Sequence, residues 1–85
     1  MALTDKQIRV LRARPVGANG NHLKAAMTLV DVTQQELAAA TGLAQGYISN
    51  LATGKHAVTV ANAHKFAEYF GCAIEDLFPA AAEVA

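Results

Sequence analysis

Residues 33–54 read TQQELAAATGLAQGYISNLATG, and the placement of caps, small residues and glycines in this stretch decides the fold. Thr33 and Glu36 form a capping-box pattern, in which each side chain accepts a hydrogen bond from the other residue's backbone N–H at a helix start. The helix predicted over 33–40 is short, because Gly42 suits the left-handed residue that follows a helix end. A tight turn is therefore expected directly after this helix.

A second short helix is predicted over 44–53, ending before Gly54. Tyr47, Ile48 and Leu51 have the spacing of one buried helix face. Two short helices joined by a turn that contains glycine make a helix-turn-helix motif. In DNA-binding proteins that use this motif, the second helix lies in the major groove.

Four small or polar residues remain on the outward face of the second helix: Gln45, Gly46, Ser49 and Asn50. Glutamine and asparagine side chains can pair with the adenine edge, and serine can contact several bases. The outward face therefore predicts direct reading of base pairs. Tyr47 has two readings: its hydroxyl donates to a backbone or phosphate oxygen, or the residue only packs, partly buried.

The rest of the chain has further helical signals and no convincing strand, which predicts an all-α fold. Thr4 and Gln7 repeat the capping box, Asn21 and Thr59 are candidate caps, and Gly71 is a candidate helix stop. The additional helices are predicted over 5–13, 22–30, 59–70 and 74–78. The predicted organisation is a basic N-terminal helix or arm with a hinge loop over 1–20, a helix-turn-helix domain over 21–79 and a tail over 80–85.

The composition fits one small folded domain. The chain has 85 residues, of which 53% are hydrophobic and 16% are charged, whereas disordered chains combine low hydrophobicity with high charge. No apolar run reaches the roughly 18 residues of a membrane-spanning helix, and the N-terminus lacks a signal-peptide pattern. Cys72 is the only cysteine, so no intramolecular disulfide can form. These features predict a reducing, cytoplasmic location and no membrane partner.

The formal net charge is zero, but the charges are separated along the chain. Residues 1–24 carry five lysines and arginines against one aspartate, a net charge of +4, and residues 25–85 carry two lysines against six carboxylates, a net charge of −4. Neutrality removes the simplest argument for a nucleic-acid partner, which is a strongly basic domain. The separation makes a local positive field possible, and a solvated surface of mixed charge is the alternative.

The stretch from Leu23 to Phe78 resembles the lambda-repressor-like, Cro-type helix-turn-helix domain of bacterial and phage regulators. The resemblance covers about two-thirds of the chain and needs no gap. It rests on five separate pieces: VTQQELA at 32–38, TGL at 41–43, YISNL at 47–51, GK at 54–55 and FAEYFGCAIEDLF at 66–78. The resemblance implies a compact five-helix domain, here with an additional short N-terminal helix or arm.

The resemblance also implies roles for individual positions. Base contacts would fall to Gln45, Gly46, Ser49 and Asn50. Contacts with the DNA backbone would fall to Gln34, Lys55 and His56, and Gln34 would also brace the second motif helix. In members of the family that dimerise through this domain, the last helix region supplies the contact, which here contains Ile74, Leu77 and Phe78.

Four positions depart from the family pattern. Ala44 stands where the second motif helix usually has a serine or threonine cap, a loss of about 1 kcal/mol. Gly46 stands where other members carry a reading side chain, so specificity is weaker there or depends on close backbone approach. Many members pair an arginine with a glutamate at the positions of Met27 and Ala52. Replacing both partners of a buried ion pair by apolar residues is often neutral or stabilising, so we expect Met27 to pack near Ala52.

The N-terminal segment lies outside the resemblance and allows three readings. The first is contact with DNA phosphates or a minor groove through the basic side chains of Lys6, Arg9, Arg12 and Arg14. The second is a helix that packs on the core through Ile8, Val10 and Leu11, with its basic side chains solvated. The third is a dimer contact. Phosphate contact by Arg9, Arg12 and Arg14 is the reading that we adopt as the prediction.

No catalytic, cofactor or metal site is predicted. His22, His56 and His64 have no spacing that would gather metal ligands, and a single cysteine does not complete a zinc site with them; we expect these histidines to be exposed or to lie at helix ends. Cys72 is expected to be a small buried hydrophobe rather than a nucleophile. The sequence has no glycine-rich phosphate loop and no nucleophile–base arrangement. We therefore predict that the protein is not an enzyme.

The sequence thus predicts a DNA-binding transcriptional regulator, specifically a repressor that acts as a homodimer on an inverted-repeat operator in double-stranded DNA. Regulation would come from the concentration of the protein, from a partner protein or from proteolysis. The alternative from another class is a helical protein-interaction module, such as an antitoxin-like or scaffold partner, that keeps the fold and binds DNA weakly or not at all. The expected setting is a bacterial nucleoid-associated or phage-encoded protein.

Overall fold

The structure of the protein, a computed structural model, describes residues 2–14 and 20–79. Six helices and no strand occur in these two ranges: α1 (Asp5–Ala13), α2 (Leu23–Leu29), α3 (Gln34–Thr41), α4 (Gln45–Ala52), α5 (Val60–Phe70) and α6 (Ile74–Leu77). The all-α prediction is confirmed, with five helices preceded by an additional N-terminal one. Most of the predicted hinge loop, residues 15–19, and the predicted tail, 80–85, lie outside the described residues.

Side-chain caps determine where three of these helices begin. Thr4 Oγ1 accepts from the Gln7 N–H at 3.2 Å, and Gln7 Oε1 accepts from the Thr4 N–H at 2.9 Å. Thr33 and Glu36 form the same reciprocal pair, with both distances at 3.1 Å. Thr59 accepts from a backbone N–H in the first turn of α5. Three of the four predicted caps are thereby confirmed, and they satisfy N–H groups that have no partner inside the helix.

The start of α2 differs from the expectation. The N-cap residue is His22, whose side chain makes no capping bond. Asn21, the predicted cap, still accepts from the Leu23 N–H at 3.1 Å, and its amide donates to the Leu51 carbonyl at 2.7 Å. Asn21 therefore supports α2 from one position further out and also ties α2 to the end of α4.

The turn between α3 and α4 is the predicted tight one. Gly42 ends α3 with a φ of 74°, a left-handed conformation that glycine adopts without steric cost. The Gly42 N–H donates to the Ala38 carbonyl at 2.9 Å. Ala38 is half-buried against the core, and its small side chain lets α4 approach closely.

One cluster of buried side chains from all six helices forms the core. Its largest fully buried members are Leu11, Leu23, Leu37, Ile48, Leu51, Phe66, Phe70 and Leu77. The rings of Phe66 and Phe78 add an aromatic contact with a centroid distance of 5.8 Å. Because burying one side chain of this size stabilises a fold by about 1.5–3 kcal/mol, this cluster dominates the packing of the short helices.

The N-terminal helix packs on the domain rather than projecting from it. Of its three apolar residues, Leu11 is fully buried, Ile8 is half-buried and Val10 is exposed. The Leu3 N–H donates to the Phe70 carbonyl at 2.6 Å, and Gln7 Nε2 donates to the Leu29 carbonyl at 3.1 Å. The second interpretation of this segment, in which Ile8, Val10 and Leu11 pack on the core, therefore holds for Leu11 and Ile8 and not for Val10.

A buried carboxylate joins α1 to α6. Asp76 is only 3% exposed; it accepts from Arg12 Nε at 2.6 Å and from the Ala73 N–H at 3.0 Å. The hydrogen bond and the attraction from Asp76 raise the pKa of Arg12 above its ordinary value. His22 Nδ1 lies 3.2 Å from the Asp76 carbonyl oxygen. Three segments that are distant in sequence therefore meet at this aspartate.

We expect Asp76→Asn to lower the free energy of unfolding by about 1–2 kcal/mol, because the buried group loses its charge and one of two acceptor oxygens. Urea unfolding followed by circular dichroism measures this. Glu75→Gln is the matched control, since Glu75 is exposed on the same helix and surface changes usually stay within about 0.5 kcal/mol. Equal unfolding midpoints for the two variants would show that the carboxylate does not hold this junction.

Candidate nucleic-acid interface

Helix α4 buries one face and exposes the other. Ile48, Leu51 and Ala52 are buried in the core. Successive residues of an α-helix are separated by about 100° around its axis, so Gly46, Ser49 and Asn50 point away from the core, and Gln45 begins the helix at the border of that face. Of these four predicted base-reading positions, Gln45 and Gly46 are exposed, and Ser49 and Asn50 are half-buried. The structure therefore brings all four to one continuous face.

The first turn of α4 is open. Ala44 provides no side-chain hydrogen bond to α4, unlike the threonines that cap α3 and α5. A Cβ atom built on Gly46 would meet nothing within 4 Å. Packing within the protein therefore does not require glycine at this position, and the backbone of this turn is accessible to a partner.

A depression borders α4 where α2 and the start of α3 meet. Its walls are formed by Lys24, Met27, Thr28, Asp31, Val32, Gln34 and Ala52. Gln34, a predicted phosphate contact, is half-buried, and Lys24, which lines the same depression, is exposed. Met27 and Ala52 are both buried and stand in the wall of the same depression, which agrees with the expected packing of Met27 near Ala52. We call Lys24 and Gln34 the α3 edge.

The opposite edge of α4 meets the turn that leads to α5. The N–H groups of Lys55 and His56 donate to the Asn50 carbonyl at 2.8 and 3.4 Å, so this turn folds back against α4. The side chains of Lys55 and His56, both predicted phosphate contacts, are exposed. Asn62 Nδ2 donates to Tyr47 Oη at 2.9 Å and links α5 to α4. We call Tyr47, Lys55, His56 and Asn62 the turn edge.

Arg9, Arg12 and Arg14 of the N-terminal segment are the remaining predicted phosphate contacts. Arg9 and Arg14 are exposed. Arg12 is 63% exposed, but its guanidinium group is paired with Asp76. Helix α1 packs mainly against α2 and α6, and its contact with α6 brings Arg12 to Asp76. Arg9 and Arg14 are the arginines whose charges face solvent.

The three dimer-contact candidates have different environments. Leu77 is fully buried and Phe78 is 3% exposed, because both side chains fill the core of the chain itself. Ile74 is half-buried. Of the three, only Ile74 leaves part of its apolar side chain accessible.

One cysteine and three histidines are the remaining reactive side chains of the chain. Cys72 is half-buried, less than expected, and burial together with the charge of Asp76 raises the pKa of its thiol to about 11. His56 and His64 are exposed, as expected, whereas His22 is buried at its helix end. Within residues 2–14 and 20–79, no three histidine, cysteine or acidic side chains come together to hold a metal ion. No helix in these ranges is long and apolar enough to cross a membrane.

The comparison with known families agrees with this geometry. The sequence profile of helix-turn-helix domains matches residues 23–77, from the first residue of α2 to the last residue of α6. The chain therefore belongs to the lambda-repressor/Cro-like helix-turn-helix family. This is a family of DNA-binding regulatory domains and not of enzymes, so the protein is a DNA-binding helix-turn-helix regulator. No curated protein matches the sequence.

Two contacts within the fold have no local signal in the sequence. Tyr47 and Asn62 are 15 residues apart, and Arg12 and Asp76 are 64 residues apart. Only the position of Asp76, three residues after Ala73, indicates a cap at the start of α6. Lys24 was not predicted at this surface, because its place in the depression that Gln34 also lines depends on tertiary packing.

We expect Ala44→Ser to raise the free energy of unfolding by about 1 kcal/mol, because a serine hydroxyl can accept from the first-turn N–H groups of α4. Urea unfolding measures this change. The control is Ala61→Ser, which places serine inside the first turn of α5 and not at its cap. Serine is a weaker helix former than alanine, so the control should gain nothing. An equal gain in both variants would contradict the capping explanation.

Alkylation of Cys72 should be slow in the folded protein. Its pKa of about 11, compared with an ordinary 9.0, lowers the thiolate fraction about 100-fold at neutral pH, and the thiolate is the reactive form. We expect the iodoacetamide rate at pH 7.5 to be at least tenfold lower than in the same chain unfolded in urea. The folded rate should keep rising with pH beyond 9. Equal folded and unfolded rates at pH 7.5 would contradict the raised pKa.

Proposed function

We propose that the protein is a transcriptional repressor that recognises a specific double-stranded operator by placing α4 in the major groove. The observation that carries the proposal is the polar, uncharged outward face of α4, bordered on both sides by edges that carry phosphate-binding groups. Gln45 and Asn50 recognise adenine through paired hydrogen bonds. Ser49 adapts to several bases, and Gly46 allows the backbone to approach the groove closely.

Contacts on the two edges would set how deeply α4 enters the groove. Gln34 on the α3 edge, and Lys55 and His56 on the turn edge, contact the DNA backbone on either side of α4. Phosphate contacts fix orientation without reading sequence. Since α4 itself has no charged residue, orientation comes from the edges and specificity comes from the amide side chains.

We further propose that the protein acts as a homodimer on an inverted repeat. Two copies related by a two-fold axis would place their α4 helices in successive major grooves about 34 Å apart. Ile74 supports the proposal because it is the accessible apolar residue of α6. Leu77 and Phe78 support the contact from the core side by holding α6 in place.

The N-terminal helix would extend the contact with DNA. Arg9 and Arg14 are the proposed phosphate contacts because they are exposed and lie within residues 1–24, which carry a net charge of +4. Arg12 contributes by anchoring the helix to Asp76. Solvation of these charges remains the second reading, and a dimer contact that includes the exposed Val10 is the third.

The protein-interaction module remains the second candidate function, because the chain has a net charge of zero and α4 contains no charged residue. Such a surface neutralises few phosphates and binds DNA weakly without a specific sequence. The two functions differ in one measurable property, which is salt-sensitive binding to a selected DNA sequence.

Selection of bound fragments from a genomic library tests the proposal. If the protein is a dimeric repressor, the selected fragments should share an inverted repeat. On the selected duplex, Gln45→Ala and Asn50→Ala should each weaken binding about 5- to 150-fold, which corresponds to 1–3 kcal/mol per base-specific pair. Glu68→Gln, an exposed change on α5, is the control and should bind normally. If no fragment is enriched and no salt-sensitive binding is found, the interaction module is favoured. Sedimentation of the complex gives the number of copies per duplex.

The exposed arginines of the N-terminal segment are tested by salt dependence. The double variant Arg9→Ala/Arg14→Ala should reduce the slope of log affinity against log salt by about 1.8, because each neutralised phosphate contributes about 0.9. Lys65→Ala removes one exposed charge on α5 and should leave the slope unchanged. An unchanged slope in the double variant would exclude these two arginines as phosphate contacts.

A further inference from the structure

In the hydrogen bond between Tyr47 and Asn62 the tyrosine hydroxyl is the acceptor, so its own hydrogen remains available for donation. A phenol hydroxyl has one hydrogen to donate and two lone pairs to accept with. Asn62 Nδ2 donates to Tyr47 Oη at 2.9 Å, which uses a lone pair of the hydroxyl and not its hydrogen. In the part of the chain that the structure describes, no acceptor takes this hydrogen. Tyr47 is half-buried, so packing holds the ring while the hydroxyl keeps a donor to offer.

The position of Tyr47 on α4 directs this donor toward the turn edge. At about 100° per residue, Tyr47 lies between the buried position of Leu51 and the outward position of Asn50. Its partner Asn62 lies in the first turn of α5, and the turn that precedes α5 is bonded to the Asn50 carbonyl. The hydroxyl therefore belongs to the same edge as the exposed side chain of Lys55.

Asn62 fixes the direction of the hydroxyl. Its backbone N–H is bound by the capping hydroxyl of Thr59 at 3.2 Å, so the residue is held at the start of α5. Its side-chain amide then meets the tyrosine oxygen from the α5 side. A hydroxyl that accepts from one side directs its own hydrogen to another side, and accepting a hydrogen bond polarises it toward donation.

We propose that the Tyr47 hydroxyl donates a hydrogen bond to a DNA phosphate oxygen on the turn edge, and that Asn62 is the positioning residue that orients it. The inference deepens the proposed function and rests on it. The contact is neutral on the protein side. It therefore strengthens binding to every sequence equally and releases no counterion of its own.

Tyr47→Phe tests the contact because it removes only the hydroxyl. Affinity for the selected duplex and for a random-sequence duplex of equal length should fall by the same factor, about tenfold, as expected for loss of a hydrogen bond to a charged group. The salt slope should stay at its wild-type value, whereas Lys55→Ala should lower it by about 0.9. Tyr69→Phe, at the other half-buried tyrosine, is the matched control and should bind normally.

Asn62→Asp tests the orientation with almost no change of shape. The introduced carboxylate can only accept, so the tyrosine must donate to it, and the hydrogen intended for phosphate is consumed. A negative charge is also added beside the DNA backbone. We expect this variant to stay folded, because acidic residues are favourable in the first turn of a helix, and to bind both duplexes more weakly than Tyr47→Phe does.

The outcomes separate this inference from the proposed function. If the wild-type protein binds neither duplex with salt-sensitive affinity, the proposed function fails. If the wild-type protein binds and Tyr47→Phe binds equally well at a temperature where both are folded, only the phosphate contact is overturned. A fall in the unfolding midpoint of Tyr47→Phe without a fall in affinity would give the hydroxyl a structural role and would also overturn it.

Discussion

The burial of Ile48, Leu51 and Ala52 in the core is the constraint on which the recognition surface depends. Helix α4 has eight residues, no side-chain cap and a glycine in its first turn. Isolated helices shorter than about 12–15 residues are marginal in water, so α4 is stable only because its apolar face is packed. The same packing fixes its rotation about its own axis. A change in the core that rotated α4 would alter which side chains lie on its outward face, even though no residue of that face had changed.

Polar contacts then hold α4 from three directions. The amide of Asn21 bonds the Leu51 carbonyl from α2, the N–H of Lys55 bonds the Asn50 carbonyl from the following turn, and Asn62 bonds Tyr47 from α5. Two of these bonds reach backbone carbonyls at the end of α4 that have no partner inside a helix. Core packing sets the rotation of α4, and these bonds set its tilt and position. The short helix is therefore rigidly placed despite its weak N-terminus.

The fold was predictable from the sequence because its signals are local. Capping boxes at Thr4 and Thr33 and the glycine at position 42 define helix ends through contacts within four residues. The outward face of α4 followed from helical periodicity alone. Pairings across the fold were not predictable: Asp76 and Arg12 have no periodic relation, and the exposure of Val10 depends on the angle at which α1 docks. The burial of Leu77 and Phe78 in their own chain likewise depends on tertiary packing, so a hydrophobic last helix did not by itself indicate a dimer surface.

The zero net charge of the chain bears on its affinity for DNA of any sequence. Non-specific affinity comes almost entirely from phosphate neutralisation, and here one of the few cations, Arg12, is already committed to Asp76. A domain with this charge distribution binds random sequences weakly. Phosphate contacts strengthen binding to every sequence alike, so they do not change the ratio of specific to non-specific affinity. Because that ratio, rather than affinity alone, determines occupancy among many competing sites, the base contacts and not the net charge of the chain would decide which sites are occupied.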